Sequence, residues 1–132
     1  MLDYAEHTLP YLLNRHDPLI NGVGDFVLPD YSGYGLSSIA ATVSALLGGP
    51  QLQTAGLAPQ IVEHLGKGYR NIVLILVDAL GYDHLQRLMA QGYAEFWREN
   101  LPLASLLSLT SISPSTTATA LTTLWTGTEP AT

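Results

Sequence analysis

Cysteine is absent from the 132 residues, which excludes disulfides and thiolate metal sites and leaves the redox compartment open. Positive charge is scarce: five Lys and Arg stand against eleven Asp and Glu, a formal net charge of −6. Cations spread this thinly make no basic stripe that could follow a phosphate backbone, so a nucleic-acid polymer is not an expected partner. No apolar run approaches the roughly 20 residues of a membrane span. The N-terminus, MLDYAEHTLPYLL, carries early acids where a secretory signal has basic residues and a clean apolar core. A soluble, cytoplasmic protein is the expectation. What remains is 47% apolar and 12% charged, enough to bury a core as one globular domain or as a piece of a larger one.

The chain is organised around Asn71 to Asp83, NIVLILVDALGYD. Ile72 to Val77 are uniformly Val, Ile or Leu, too apolar for a half-exposed strand, and predict a strand covered on both faces. Asp78 would close it at the C-terminal edge, where open α/β sheets bind ligands. A carboxylate there is costly to bury unless a metal, a donor or water meets it. Asp78 is therefore the first candidate for chemistry, although strand-end aspartates also cap the helix that follows.

Residues 1–35 are punctuated by Pro10, Pro18, Gly22, Gly24, Pro29, Gly33 and Gly35, which predicts an irregular lead of short pieces. Asp25 to Leu28 reads as a short strand and PDYSGYG after it as a loop. Residues 36–132 then carry the α/β pattern. Leu36, Ile39, Ala40, Val43, Leu46 and Leu47 recur at helical spacing before Gly48, Gly49 and Pro50. A shorter helix is predicted from Pro59 to Gly66. After Asp78, Gly81 permits a turn, Asp83 reads as an N-cap, and Leu85, Leu88 and Met89 share a helix face closed by Gly92. Ala94 to Asn100 adds another turn or two with Phe96 and Trp97 inward. Leu103 to Ile112 reads as a second strand, so that strand, helix and strand imply a right-handed parallel crossover. Surface or packing roles are the plain reading for His7, His16 and His64, while His84 lies nearest in sequence to Asp78.

The segment SPSTTATALTTLWTG, residues 113–127, places Ala118, Leu121, Leu124 and Trp125 at helical spacing. A helix is predicted to begin near Ser115 to Thr117, with hydroxyls crowding an end whose free N–H groups and dipole attract phosphate. A hydroxyl there becomes a nucleophile only if something lowers its pKa, as a metal held by Asp78 could. Ordinary helix capping is the competing reading.

LILVDALGYD together with SPSTTATALTTLWTG resembles the alkaline phosphatase superfamily, especially its type I phosphodiesterase and nucleotide pyrophosphatase branch. PDYSGYGLSSIAATVSALLG is similar to the lead of bacterial members, so the likeness spans most of residues 29–130. It implies an incomplete, N-terminal portion of a parallel-sheet three-layer α/β sandwich. It also implies that Asp78 ligates one of two zinc ions and that the nucleophile, nine residues before the Thr of a closing Thr-Gly pair, is Thr117, itself a metal ligand. Thr116 is the fallback. The reaction so implied is in-line displacement at phosphorus through a phospho-threonine, on a small phosphate ester or nucleotide. Ala79 departs from the glycine common after the metal Asp, and Ser113-Pro114 from the family's Phe-Pro.

The remaining metal ligands of such enzymes come from strands beyond the nucleophile helix, so this chain reads as an N-terminal fragment, inactive by itself. One carboxylate and one hydroxyl fall short of the about four ligands a zinc ion takes. Two other readings stay open: a non-catalytic α/β module that holds an anion at the helix end, and an interaction domain in which Asp78 merely caps. Oligomeric state and leaving group are not encoded in these motifs.

Overall fold

Packing in this protein begins with a buried turn at residues 29–37, and the computed structural model describes residues 2–15, 26–100 and 103–130 around it. In chain order these form β1 (Leu2–Asp3), α1 (Ala5–Leu13), α2 (Ser38–Leu46), α3 (Pro59–Leu65), α4 (Tyr82–Ala90), α5 (Glu95–Asn100), β2 (Ser105–Leu106) and α6 (Thr117–Thr126). β1 and β2 pair in parallel, with Leu2 opposite Ser105 and Asp3 opposite Leu106. An isolated parallel bridge joins Gly35 to Thr110.

The lead is more regular than its prolines predict. α1 runs through Pro10, whose missing N–H leaves free the Glu6 carbonyl on the exposed side, where water can serve it. Ala5, Thr8 and Leu12 bury the opposite face, and that packing outweighs the lost bond. Thr8 Oγ1 lies 2.6 Å from Ser108 Oγ, tying α1 to the segment after β2. The short strand predicted at Asp25 to Leu28 does not form over residues 26–28; Asp25 itself, like Pro18, Gly22, Gly24 and His16, lies outside the described residues.

The predicted helices near 36–47 and 59–66 coincide with α2 and α3. Leu57, Ala58 and Ile61 form the core, with Tyr4, Tyr34, Ile39, Val62, Leu65, Leu107 and Leu109 packed against them. Thr42 Oγ1 on α2 donates to Ser38 O and accepts from Leu57 N, each at 2.7 Å, so one hydroxyl fixes the loop between the two helices. α2 packs on α6. A β-carbon on Gly127 would meet Ala40 Cβ at 3.3 Å, and Gly127 ends α6 with a left-handed φ of 69°, the conformation glycine adopts without strain. Thr54 Oγ1 donates to the Gly127 carbonyl.

The segment 71–77 departs furthest from expectation. It forms no strand, and no backbone hydrogen bond joins it to another described residue. Val73 is 83% and Ile75 77% exposed. A strand exists only against a neighbour, and within its predicted partner, Leu103 to Ile112, Ser105 and Leu106 pair instead with β1 and Thr110 with Gly35. The predicted crossover is therefore not formed among the described residues. α4 matches its predicted span, and α5 follows it, but Phe96 and Trp97 point outward, Phe96 at 68% exposure. No described helix is long and apolar enough to cross a membrane.

Candidate functional site

Asp78 follows the exposed apolar run and is itself exposed. Its Oδ1 accepts from the Ala79 N–H at 2.9 Å. Ala79 carries the turn, with φ of 58°, a left-handed conformation that costs a residue with a β-carbon roughly 1–2 kcal/mol. The glycine that the resemblance puts at this position would remove that strain. Gly81, expected to make the turn, is extended (φ −72°, ψ 158°) and serves as the N-cap of α4, while Asp83 lies in the first helical turn.

At the other candidate segment, the two neighbouring threonines have different surroundings. Thr116 is the N-cap of α6: its Oγ1 accepts from Thr119 N at 3.3 Å and lies 2.7 Å from Thr119 Oγ1. Thr117 is the first residue of the helix and exposed, and its hydroxyl has no hydrogen-bond partner among the described residues. The first turn of α6 contains no acidic side chain. Its early N–H groups and dipole therefore favour negative charge without a local competitor.

No hydrogen bond or ion pair joins Asp78 to Thr116 or Thr117. A cavity of about 560 Å³ is lined by Tyr82 from the start of α4 and by Ser111, Ser113 and Ser115 ahead of α6, but by none of Asp78, Thr116 and Thr117. Leu9, Leu12 and Leu13 of α1, with Val27 and Ile112, supply its apolar side. Of the histidines, His64 stacks edge-on against Tyr4 at 5.8 Å, His7 is exposed, and His84 lines a small surface hollow with Arg87, Leu88 and Gln91. None of the three contacts Asp78, Thr116 or Thr117.

Among the described residues no group of three His, Cys, Asp or Glu side chains stands ready to hold a metal ion. Asp78 and Thr117 supply two donors where zinc takes about four. These residues do not by themselves fit a pair of zinc ions, and no chemical step can be assigned to such ions from this chain alone.

The best-formed polar cluster lies at Asp30, which sequence reasoning placed in a loop without a role. Its side chain is fully buried. Oδ1 accepts from Ser32 N at 2.8 Å and Tyr34 N at 3.0 Å, Ser32 Oγ donates to both carboxylate oxygens, and Arg15 Nη1 pairs with Oδ2 at 2.9 Å. Burial alone would raise the Asp30 pKa; the bonds from Tyr34 and Ser32, together with the Arg15 charge, outweigh it and hold the carboxyl below its ordinary range. Asp30 N donates to Thr110 Oγ1 at 2.7 Å, Thr110 N to Tyr34 O at 2.9 Å and Leu36 N to Thr110 O at 3.0 Å. The signal was present in D-Y-S-G, the pattern of an Asp whose side chain bonds its own backbone two residues on. With every oxygen engaged inside the protein, this cluster is an anchor for the segment that leads into α6. It is not a reaction centre.

Comparison with protein families, with curated proteins and with solved structures finds no match for this chain.

Proposed function

We propose that this chain is the N-terminal part of a metal-dependent phosphoric ester hydrolase of the phosphodiesterase or nucleotide pyrophosphatase kind. In this reading Thr117 is the nucleophile, Asp78 ligates one of two divalent metal ions, most simply zinc, and the remaining ligands come from residues other than those described. One observation supports the choice of Thr117 over Thr116: the cap is made by Thr116, which leaves the neighbouring hydroxyl exposed and unpartnered at a helix end that attracts phosphate. The reaction is attack of the Thr117 oxygen on phosphorus, with the hydroxyl proton passing to the departing alcohol, after which water cleaves the Thr117–phosphate bond and restores the hydroxyl. The substrate is a small phosphate ester or nucleotide, and the setting is the cytoplasm.

The test is zinc-dependent hydrolysis of bis-p-nitrophenyl phosphate by the longest product encoded with this chain. Thr117→Ala is expected to lose on the order of a thousandfold or more in rate, while Thr116→Ala keeps most of it. Full activity in Thr117→Ala would refute the assignment. The 132-residue chain alone is expected to be inactive.

A second reading draws on the absence of acid from the first turn of α6: a module that holds an anion there without metal. Calorimetric phosphate binding that survives a chelator would favour it over the hydrolase.

A further inference from the structure

The hydrolase reading uses the end of α6 and Asp78 but gives no task to the cavity beside them. That cavity, about 560 Å³, falls in the range of about 300–1,000 Å³ typical of small-molecule sites. Its α1 side is apolar, and Leu13 on that side is 50% exposed. A concave apolar surface open to solvent, with a few hydroxyls at one end, is the usual form of a site for an apolar ligand with one polar terminus.

Two residues of the lining stand close in sequence to the proposed chemistry. Ser115 lies on the wall two residues before Thr117, so their Cα atoms are at most about 7.6 Å apart. Tyr82, on the same wall, is four residues beyond Asp78, a Cα separation of at most about 15 Å. A group bonded through one ester oxygen to a phosphorus at the α6 end can therefore reach the cavity. Apart from Tyr82, the described residues of its lining include no ionisable side chain, so none of them repels a phosphoryl group.

We propose that this cavity holds the alcohol portion of the substrate, and that the substrate class is a phosphate ester of a compact aryl or short alkyl alcohol. The proposal rests on the hydrolase reading, which positions the phosphoryl group at the start of α6.

Three non-hydrolysable probes separate the two: phenylphosphonate, methylphosphonate and phenol, each titrated, with zinc present, into the longest product encoded with this chain, with methyl and amide NMR detection. Phenylphosphonate is expected to bind about tenfold or more tighter than methylphosphonate, moving the methyls of Leu12, Val27 and Ile112 together with the amides of residues 116–119. Leu13→Glu, at the exposed lip, is expected to weaken phenylphosphonate about fivefold or more and leave methylphosphonate unchanged. Ser111→Trp, on the rim, narrows the mouth and gives the same split without touching α1. If phenylphosphonate moves the α6 amides while the cavity methyls stay silent, the alcohol-site proposal is overturned and the hydrolase reading stands. If neither phosphonate moves the α6 amides, the hydrolase reading fails, and the proposal fails with it even should phenol move the methyls.

Discussion

Residues 29–65 and residues 71–100 are of similar length and both rich in apolar side chains, yet only the first is packed. Leu57, Ala58 and Ile61 are buried, whereas Val73, Ile75, Phe96 and Trp97 face solvent. Hydrophobicity does not separate the two regions. The first has neighbours on several sides: α1, residues 107–110 and α6 converge on it, and buried polar atoms at Asp30 and Thr42 fix their relation. The second has α4 and α5 resting on each other and an apolar run with no pairing partner among the described residues. Burial is a property of what surrounds a segment, so an apolar sequence states a demand that other elements must meet.

The contrast can be broken most severely at Gly35. A β-carbon there would stand 1.8 Å from the Asp30 carbonyl oxygen, a backbone atom that cannot swing aside. Gly35→Ala is expected to destabilise the chain by about 3 kcal/mol or more, read as a lowered urea midpoint. Asp30→Asn comes next, at about 2–3 kcal/mol, because it removes the charge that meets Arg15 and weakens the bonds from Ser32 and Tyr34. Its pH dependence follows from the lowered carboxyl. The wild-type contribution is complete above the unfolded value of about 3.9 and disappears as pH falls through the lower folded value. Thermal melts of the two proteins should differ at pH 7 and draw together in strong acid; a constant gap would count against the ion pair as its source.

A smaller effect is expected at α6. Thr116→Ala should cost about 1 kcal/mol through the lost cap, and Thr117→Ala less than about 0.5 kcal/mol. Equal losses would mean that the two hydroxyls are not divided between structure and chemistry. Smallest of all is Ile75→Lys, within about 0.5 kcal/mol of wild type, since the side chain is already in water. A loss of several kcal/mol there would show that residues 71–77 are covered in solution after all.

Local structure was legible where short-range rules decide it. Pro59 at the first position of α3, the Leu36–Leu47 stripe, Gly92 beyond α4 (φ +80°) and the hydroxyl cap of α6 each carry their cause within a few residues. The candidate hydroxyl pair was visible too, but its division of labour was not, because Thr116 and Thr117 differ only in which one the helix dihedrals include. The Asp30 cluster escaped because its partners, Arg15 and Thr110, lie far away in sequence. The run at 72–77 was read for its own composition, while its state depends on a pairing partner that the described residues do not supply.

Thr110 Oγ1 is bonded to a backbone group eighty residues earlier, and this sets a schedule for synthesis. While the ribosome is still making the middle of the chain, the Asp30 turn lacks the acceptor that completes it. α2 lacks the α6 surface on which it rests. The packed region can close only after residues 110–126 have emerged, and such distant contacts form slowly. Both before and after that closure the described structure leaves IVLILV unshielded, a segment that a chaperone can hold.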